Sequence, residues 1–140
     1  MAKGQPFSLR LDENTEKLVE AEARRTRRSK SAVVEAFTEE TARSRRFPGI
    51  AFRGGGSGDA GRRPWVIGSG LDIWEIIHML DDHGSVETLV AETHLNAAQV
   101  RIALASRQAH PGEIADAIDD NRRSITDVGA LCPFIEVASR

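Results

Sequence analysis

The chain has 140 residues, 40% of them hydrophobic and only 5% aromatic, with no Tyr: one ordinary domain or two small ones, with little volume for a large core. Its formal net charge of −2 hides an asymmetry, because residues 1–63 hold 14 Lys and Arg against 9 Asp and Glu (net +5), whereas residues 64–140 hold 5 against 12 (net −7). The lone Cys132 excludes an internal disulfide, no apolar run is long enough to span a membrane, and residues 1–5 are no signal peptide, so a cytoplasmic protein is expected.

Taken in order, residues 1–5 form an arm whose Lys3 can touch a phosphate. Residues 6–12 alternate, with Phe7, Leu9 and Leu11 on one face and Ser8 and Arg10 on the other. Period-2 alternation predicts a short N-terminal strand. One strand cannot satisfy its own backbone groups, and the cheapest partner is the same strand of a second copy. Two such strands make an antiparallel ribbon that presents Ser8 and Arg10 together, a shape that fits the DNA major groove.

Asp12 caps a predicted helix over residues 13–26, with Glu13 and Glu16 in its first turn and a thin apolar stripe of Leu18, Val19, Ala21 and Ala23. A thin stripe implies packing against a dimer partner. After the turn at residues 26–29, Ser29 caps a second helix over residues 30–45, with Val33, Val34, Ala36 and Phe37 inward. The free N–H groups at Lys30 and Ser31, the hydroxyls of Ser29 and Ser31, and the charges of Arg27, Arg28 and Lys30 compose an anion site. Read alone, the same residues are a capped, solvated turn; next to the strand, phosphate clamping is the better reading.

Residues 47–53 are apolar but broken by Pro48 and Gly49, an extended segment that docks onto something. Residues 54–61 are Gly-rich and read as a linker. The G-x-G-x-x-G at Gly56, Gly58 and Gly61 lacks a preceding strand and a following helix, so it is no phosphate loop. Residues 65–67 are a short strand or extended piece. Helices follow at about residues 71–82 (capped by Ser69 or Asp72), 86–93 (Ser85), 97–109 (Asn96) and 112–122 (after Pro111). The fold class expected is mostly α with one short N-terminal strand, divided into residues 1–46, a connection over 47–63, a helical bundle over 64–123 and a tail over 124–140. The middle helices of the bundle have helix-turn-helix proportions.

The stretch Phe7-Ser8-Leu9-Arg10-Leu11, with Asp12-Glu13, then Ala23-Arg24-Arg25-Thr26 and Ser29-Lys30-Ser31-Ala32-Val33-Val34, resembles the ribbon-helix-helix (CopG/Arc/MetJ-like) DNA-binding domains. The resemblance implies that the outward strand residues read bases and that the start of the second helix holds a phosphate. DNA contacts are therefore expected from Lys3, Ser8, Arg10, Arg28, Ser29, Lys30 and Ser31. A homodimer is expected through Phe7, Leu9, Leu11, Val33, Val34 and Phe37, with a dimer of dimers on DNA left open. The chain departs from the pattern in three places. Arg27 stands at a turn position usually held by Gly, Glu22 where a larger apolar residue is usual, and Pro6 at the first groove-facing position of the strand.

The second half resembles a small helical domain associated with antitoxins. The carrying residues are Gly70-Leu71-Asp72-Ile73-Trp74-Glu75-Ile76-Ile77, His83-Gly84-Ser85-Val86-Glu87, the run from Leu95 to Ala105, and Ala109-His110-Pro111-Gly112-Glu113-Ile114. That resemblance implies a PIN-like nuclease toxin as partner. An acidic nuclease site would take an arginine, so Arg122, Arg123 and Arg140 are the candidates for toxin contact. The expected function is a type II antitoxin that represses its own operator; the alternative is a regulator without a toxin, whose second half senses another protein or ligand. A ribbon that only dimerises is the third reading. No catalytic residue, cofactor or metal is expected: His78 and Asp82 have i, i+4 spacing but sit at a solvated helix end, and Cys132 lies in an apolar tail. Asn96, Gln99 and Arg101 occupy recognition-helix positions, but on a half with net −7 that phosphates would repel.

Overall fold

A computed structural model of the chain describes residues 4–6, 8–54 and 62–122. These form six helices and one two-stranded antiparallel sheet, in the order α1 (Glu13–Thr26), α2 (Lys30–Arg46), β1 (Ile50–Arg53), β2 (Arg63–Val66), α3 (Ile73–His83), α4 (Val86–Glu92), α5 (Ala97–Ala109) and α6 (Pro111–Asn121). The protein is mostly helical, and no helix among the described residues is long and apolar enough to cross a membrane.

The helix ends follow from local chemistry. Asp12 Oδ1 accepts the N–H of Thr15 at 2.9 Å, and Ser29 Oγ accepts that of Ala32 at 3.1 Å. Asn96 and Gln99 cap α5 reciprocally, each side-chain oxygen accepting the other's backbone N–H. Arg27 ends α1 in the left-handed region at φ 54°, the conformation that the turn demands and that glycine would adopt without strain.

The sheet is not where alternation places a strand. Residues 8–11 make no backbone hydrogen bond to another described residue, and the segment carries no strand within the chain. The paired strands are β1, inside the segment read as docking, and β2, with Ile50 opposite Val66 and Arg53 opposite Arg63. The Gly-rich stretch read as a linker thus joins two strands that pair with each other, and the boundary drawn after residue 63 falls within β2. Gly49 opens this hairpin at φ 104°, where an added Cβ would stand 2.8 Å from Ile102 Cδ1. The Ile102 methyl could shift, but the left-handed φ itself favours glycine there.

The main core is built on the hairpin and α3–α6: Ile50, Val66, Ile73, Ile76, Ile77, Leu89, Leu95, Val100, Ala103 and Ile114. The α3 isoleucines recur at helical spacing and are almost wholly buried. Each such side chain contributes about 1.5–3 kcal/mol. The pair α1–α2 buries Val19 and Val33, and α2 also packs against β1. On these helices Leu18 is 69% exposed and Phe37 41%, and Leu9, just before α1, is 60% exposed.

Two polar ties join the pieces. Asp72, 3% exposed, receives Arg53 Nε on one carboxylate oxygen at 2.8 Å and Arg63 Nε on the other at 3.1 Å, so both strands are clasped to the start of α3. Arg53 also lies over the Trp65 ring, 4.9 Å from its centre. At the far end of α2, Glu40 accepts from Arg62, and Arg43 donates to Glu113.

Candidate nucleic-acid interface

The candidate interface comprises residues 4–6 and 8–11, the α1–α2 turn and the first turns of α2. Ser8, Leu9 and Arg10 are exposed, and Leu11 is half-buried. An open groove of about 780 Å³ runs between this segment and α2, lined by Leu9, Leu11, Val34 and Thr38 with Lys30, Ser31, Glu35 and Glu39 at its polar edge. Of the residues assigned to a dimer contact, Leu9, Leu11 and Val34 line the groove and Phe37 is exposed. Val33 is instead buried within the chain, where it closes the α1–α2 contact.

At the turn, Ser29 is spent as the N-cap, and the N–H groups of the first turn of α2 lie at an exposed helix end. Arg24 and Arg27 are exposed and make no ion pair among the described residues. Arg28 adds only longer-range attraction to Glu22, whose carboxyl is held below its ordinary value chiefly by the hydrogen bonds of Arg25. The missing apolar side chain at residue 22 is thus replaced by an i, i+3 ion pair.

Lys30 is engaged by α1. Its Nζ lies 2.9 Å from Glu16 Oε1 and 3.5 Å from Glu20 Oε1, both on α1. These carboxylates, Glu16 first, raise the Lys30 ammonium above its ordinary value. Sequence reading missed them; the signal was an i, i+4 pair of like charges on α1, which on an isolated helix is unfavourable unless a cation answers it.

The remaining assigned residues are scattered. Arg122 is exposed just past α6. Lys3, Phe7, Arg123 and Arg140 lie outside the described residues. Asn96 and Gln99, the recognition-helix candidates of α5, are engaged in its capping box, which leaves Arg101 exposed. His78 Nε2 is 3.8 Å from Asp82, and among the described residues no three His, Cys, Asp or Glu side chains converge as a metal site would need.

Compared with family models, with curated proteins and with solved structures, the chain matches none.

Proposed function

We propose that this chain is a dimeric, ribbon-helix-helix DNA-binding regulator acting as a type II antitoxin. The observation that carries the DNA-binding part is the open apolar face of the N-terminal segment. Leu9 is 60% exposed and borders a groove with Leu11 and Val34, while residues 8–11 make no backbone hydrogen bond to another described residue. An exposed strand-like segment needs both a backbone partner and apolar cover. The same segment of a second copy supplies both at once. The resulting ribbon presents Ser8 and Arg10 on one face, flanked by the amides at the start of α2 and by Arg27 and Arg28. Arg10 pairs with guanine O6/N7; the amides at residues 29–31 and Arg28 position the phosphate backbone.

The antitoxin part rests on the resemblance of the second half to antitoxin-associated domains. Its net −7 favours a protein partner over DNA, and the short α4–α5 connection gives it the helix-turn-helix proportions expected of that bundle. A PIN-like nuclease is the partner proposed, with Arg122, Arg123 or Arg140 entering its acidic site. If the triple Arg→Ala variant still neutralised the toxin, those arginines would be removed from the reading.

The deciding experiment titrates DNA from upstream of the gene with the wild type and with Arg10→Ala, the variant being checked for its dimeric state. Binding well above random competitor by the wild type alone supports a sequence-reading ribbon. Equal binding by both, or by neither, reduces the strand to a dimer contact.

A further inference from the structure

We propose that Glu16 and Glu20 form an internal counter-ion that occupies Lys30 in the free protein, so that DNA phosphate reaches this ammonium only by displacing two carboxylates. The inference rests on the DNA-binding reading above and concerns how that surface is regulated.

Three observations carry it. Lys30 is the first residue of α2, at the helix end where a phosphate would lie, yet its ammonium is within ion-pair distance of both carboxylates. All three side chains are about half exposed, so solvent and a phosphate can reach them. The held cation contrasts with Arg24 and Arg27 of the adjoining turn, which make no ion pair among the described residues. Lys30 is neutralised, while Arg24 and Arg27 stay open among the described residues.

The exchange is close to balanced. A phosphate bound to Lys30 replaces one set of charge-assisted hydrogen bonds by another. It also leaves two carboxylates well inside the screening length of about 8 Å from the incoming charge. Lys30 therefore adds little to DNA affinity or to its salt dependence while Glu16 and Glu20 are present, and the open arginines and helix amides supply most of the backbone contact.

The test measures affinity for upstream and random duplex between 50 and 200 mM salt for the wild type, Glu16→Gln/Glu20→Gln, Lys30→Gln and the triple variant. Helix content and dimer state are checked for each. Freeing Lys30 should add about one phosphate contact per protomer, two in the dimer, steepening the log–log salt slope of the double variant by about 1.8 and tightening binding about tenfold at the low-salt end. Both gains should vanish in the Lys30→Gln background. The inference is overturned if the double variant matches the wild type, even when its thermal stability falls, since the pair would then merely tie α1 to α2. It is also overturned if the gain persists without Lys30, which would be a general charge effect. If the wild type binds no duplex above competitor, the DNA-binding reading fails and takes the inference with it; if Arg10→Ala behaves as expected and only the carboxylate variants do not, the inference fails alone.

Discussion

Arg43, near the end of α2, sets a guanidinium nitrogen 2.8 Å from the carboxylate of Glu113, 70 residues away in the first turn of α6. The same group lies 4.9 Å from the centre of the Phe52 ring on β1, and its side chain is only 14% exposed. Helix α2 spans about 25 Å, so one end lies at the candidate phosphate contact and the other is held by the hairpin and α6. Arg43→Ala should lower stability by about 1–2 kcal/mol, through lost stacking and a lost charge-assisted bond. Arg43→Lys should fall between, since it keeps charge without the planar group. Urea unfolding measures both; an Arg43→Ala loss no larger than that of exposed Arg45→Ala would contradict the tie.

Asp72 joins both strands of the hairpin to α3. Asp72→Ala leaves Arg53 and Arg63 without their carboxylate and should cost about 2–4 kcal/mol, less than a fully buried pair because the arginines are partly solvated. Asp72→Asn, which keeps the size and the capping preference, should cost less. Equal midpoints in urea for wild type and Asp72→Ala would show that the clasp adds nothing.

Arg27 holds a left-handed backbone at φ 54°. Arg27→Gly should therefore stabilise the protein by about 0.5–1 kcal/mol, relief of the side-chain strain outweighing the added freedom of the unfolded chain. The gain is read as a higher thermal midpoint; a lower one would mean that the arginine makes a compensating contact.

Leu9→Asp places a charge in the middle of the proposed paired strands. It should abolish the dimer in sedimentation equilibrium and with it much of the α1–α2 helix signal. An intact dimer would move the association surface elsewhere, to Leu18 or Phe37.

Asp12 titrates below its ordinary value, first because its carboxylate accepts the Thr15 N–H and next the Thr15 hydroxyl. A lowered native pKa means that this contribution is complete above the unfolded value near pH 4 and is lost as pH falls through the native one. Asp12→Asn keeps a capping side chain without a titrating group, so its helix signal should depend less on pH between about 4 and 2. Coincident acid titrations of the two proteins would assign the acid sensitivity to other carboxylates, Glu22 first.

Much of the helical framework was legible because caps act over three or four residues. Asp12, Ser29, Ser85 and Asn96 each stand immediately before a helix, and Arg27 takes the left-handed turn expected at that position. Residues 65–67 read as a short strand or extended piece, which β2 meets at Trp65 and Val66, but the pairing was not legible: the strands have four residues each, Pro48 and Gly49 interrupt the approach to the first, and a Gly-rich stretch separates them. Strands that short carry almost no periodic signal. Glu16 was legible only as a first-turn acid of α1, and Glu20 carried no assignment, because their cation comes from the next helix.

What the sequence by itself determined is therefore local: where helices start and stop, which face of residues 7–11 is apolar, and which half is basic. The tertiary structure decided the pairings between elements, including Lys30 with Glu16 and Glu20, Arg53 and Arg63 with Asp72, and Arg43 with Glu113. Capping and amphipathic periodicity are set by residues a turn apart, which the chain order already places together. An ion pair between elements exists only where packing brings two helices or a hairpin to one spot, and that spot is chosen by the burial of residues such as Val19, Val33 and the isoleucines of α3.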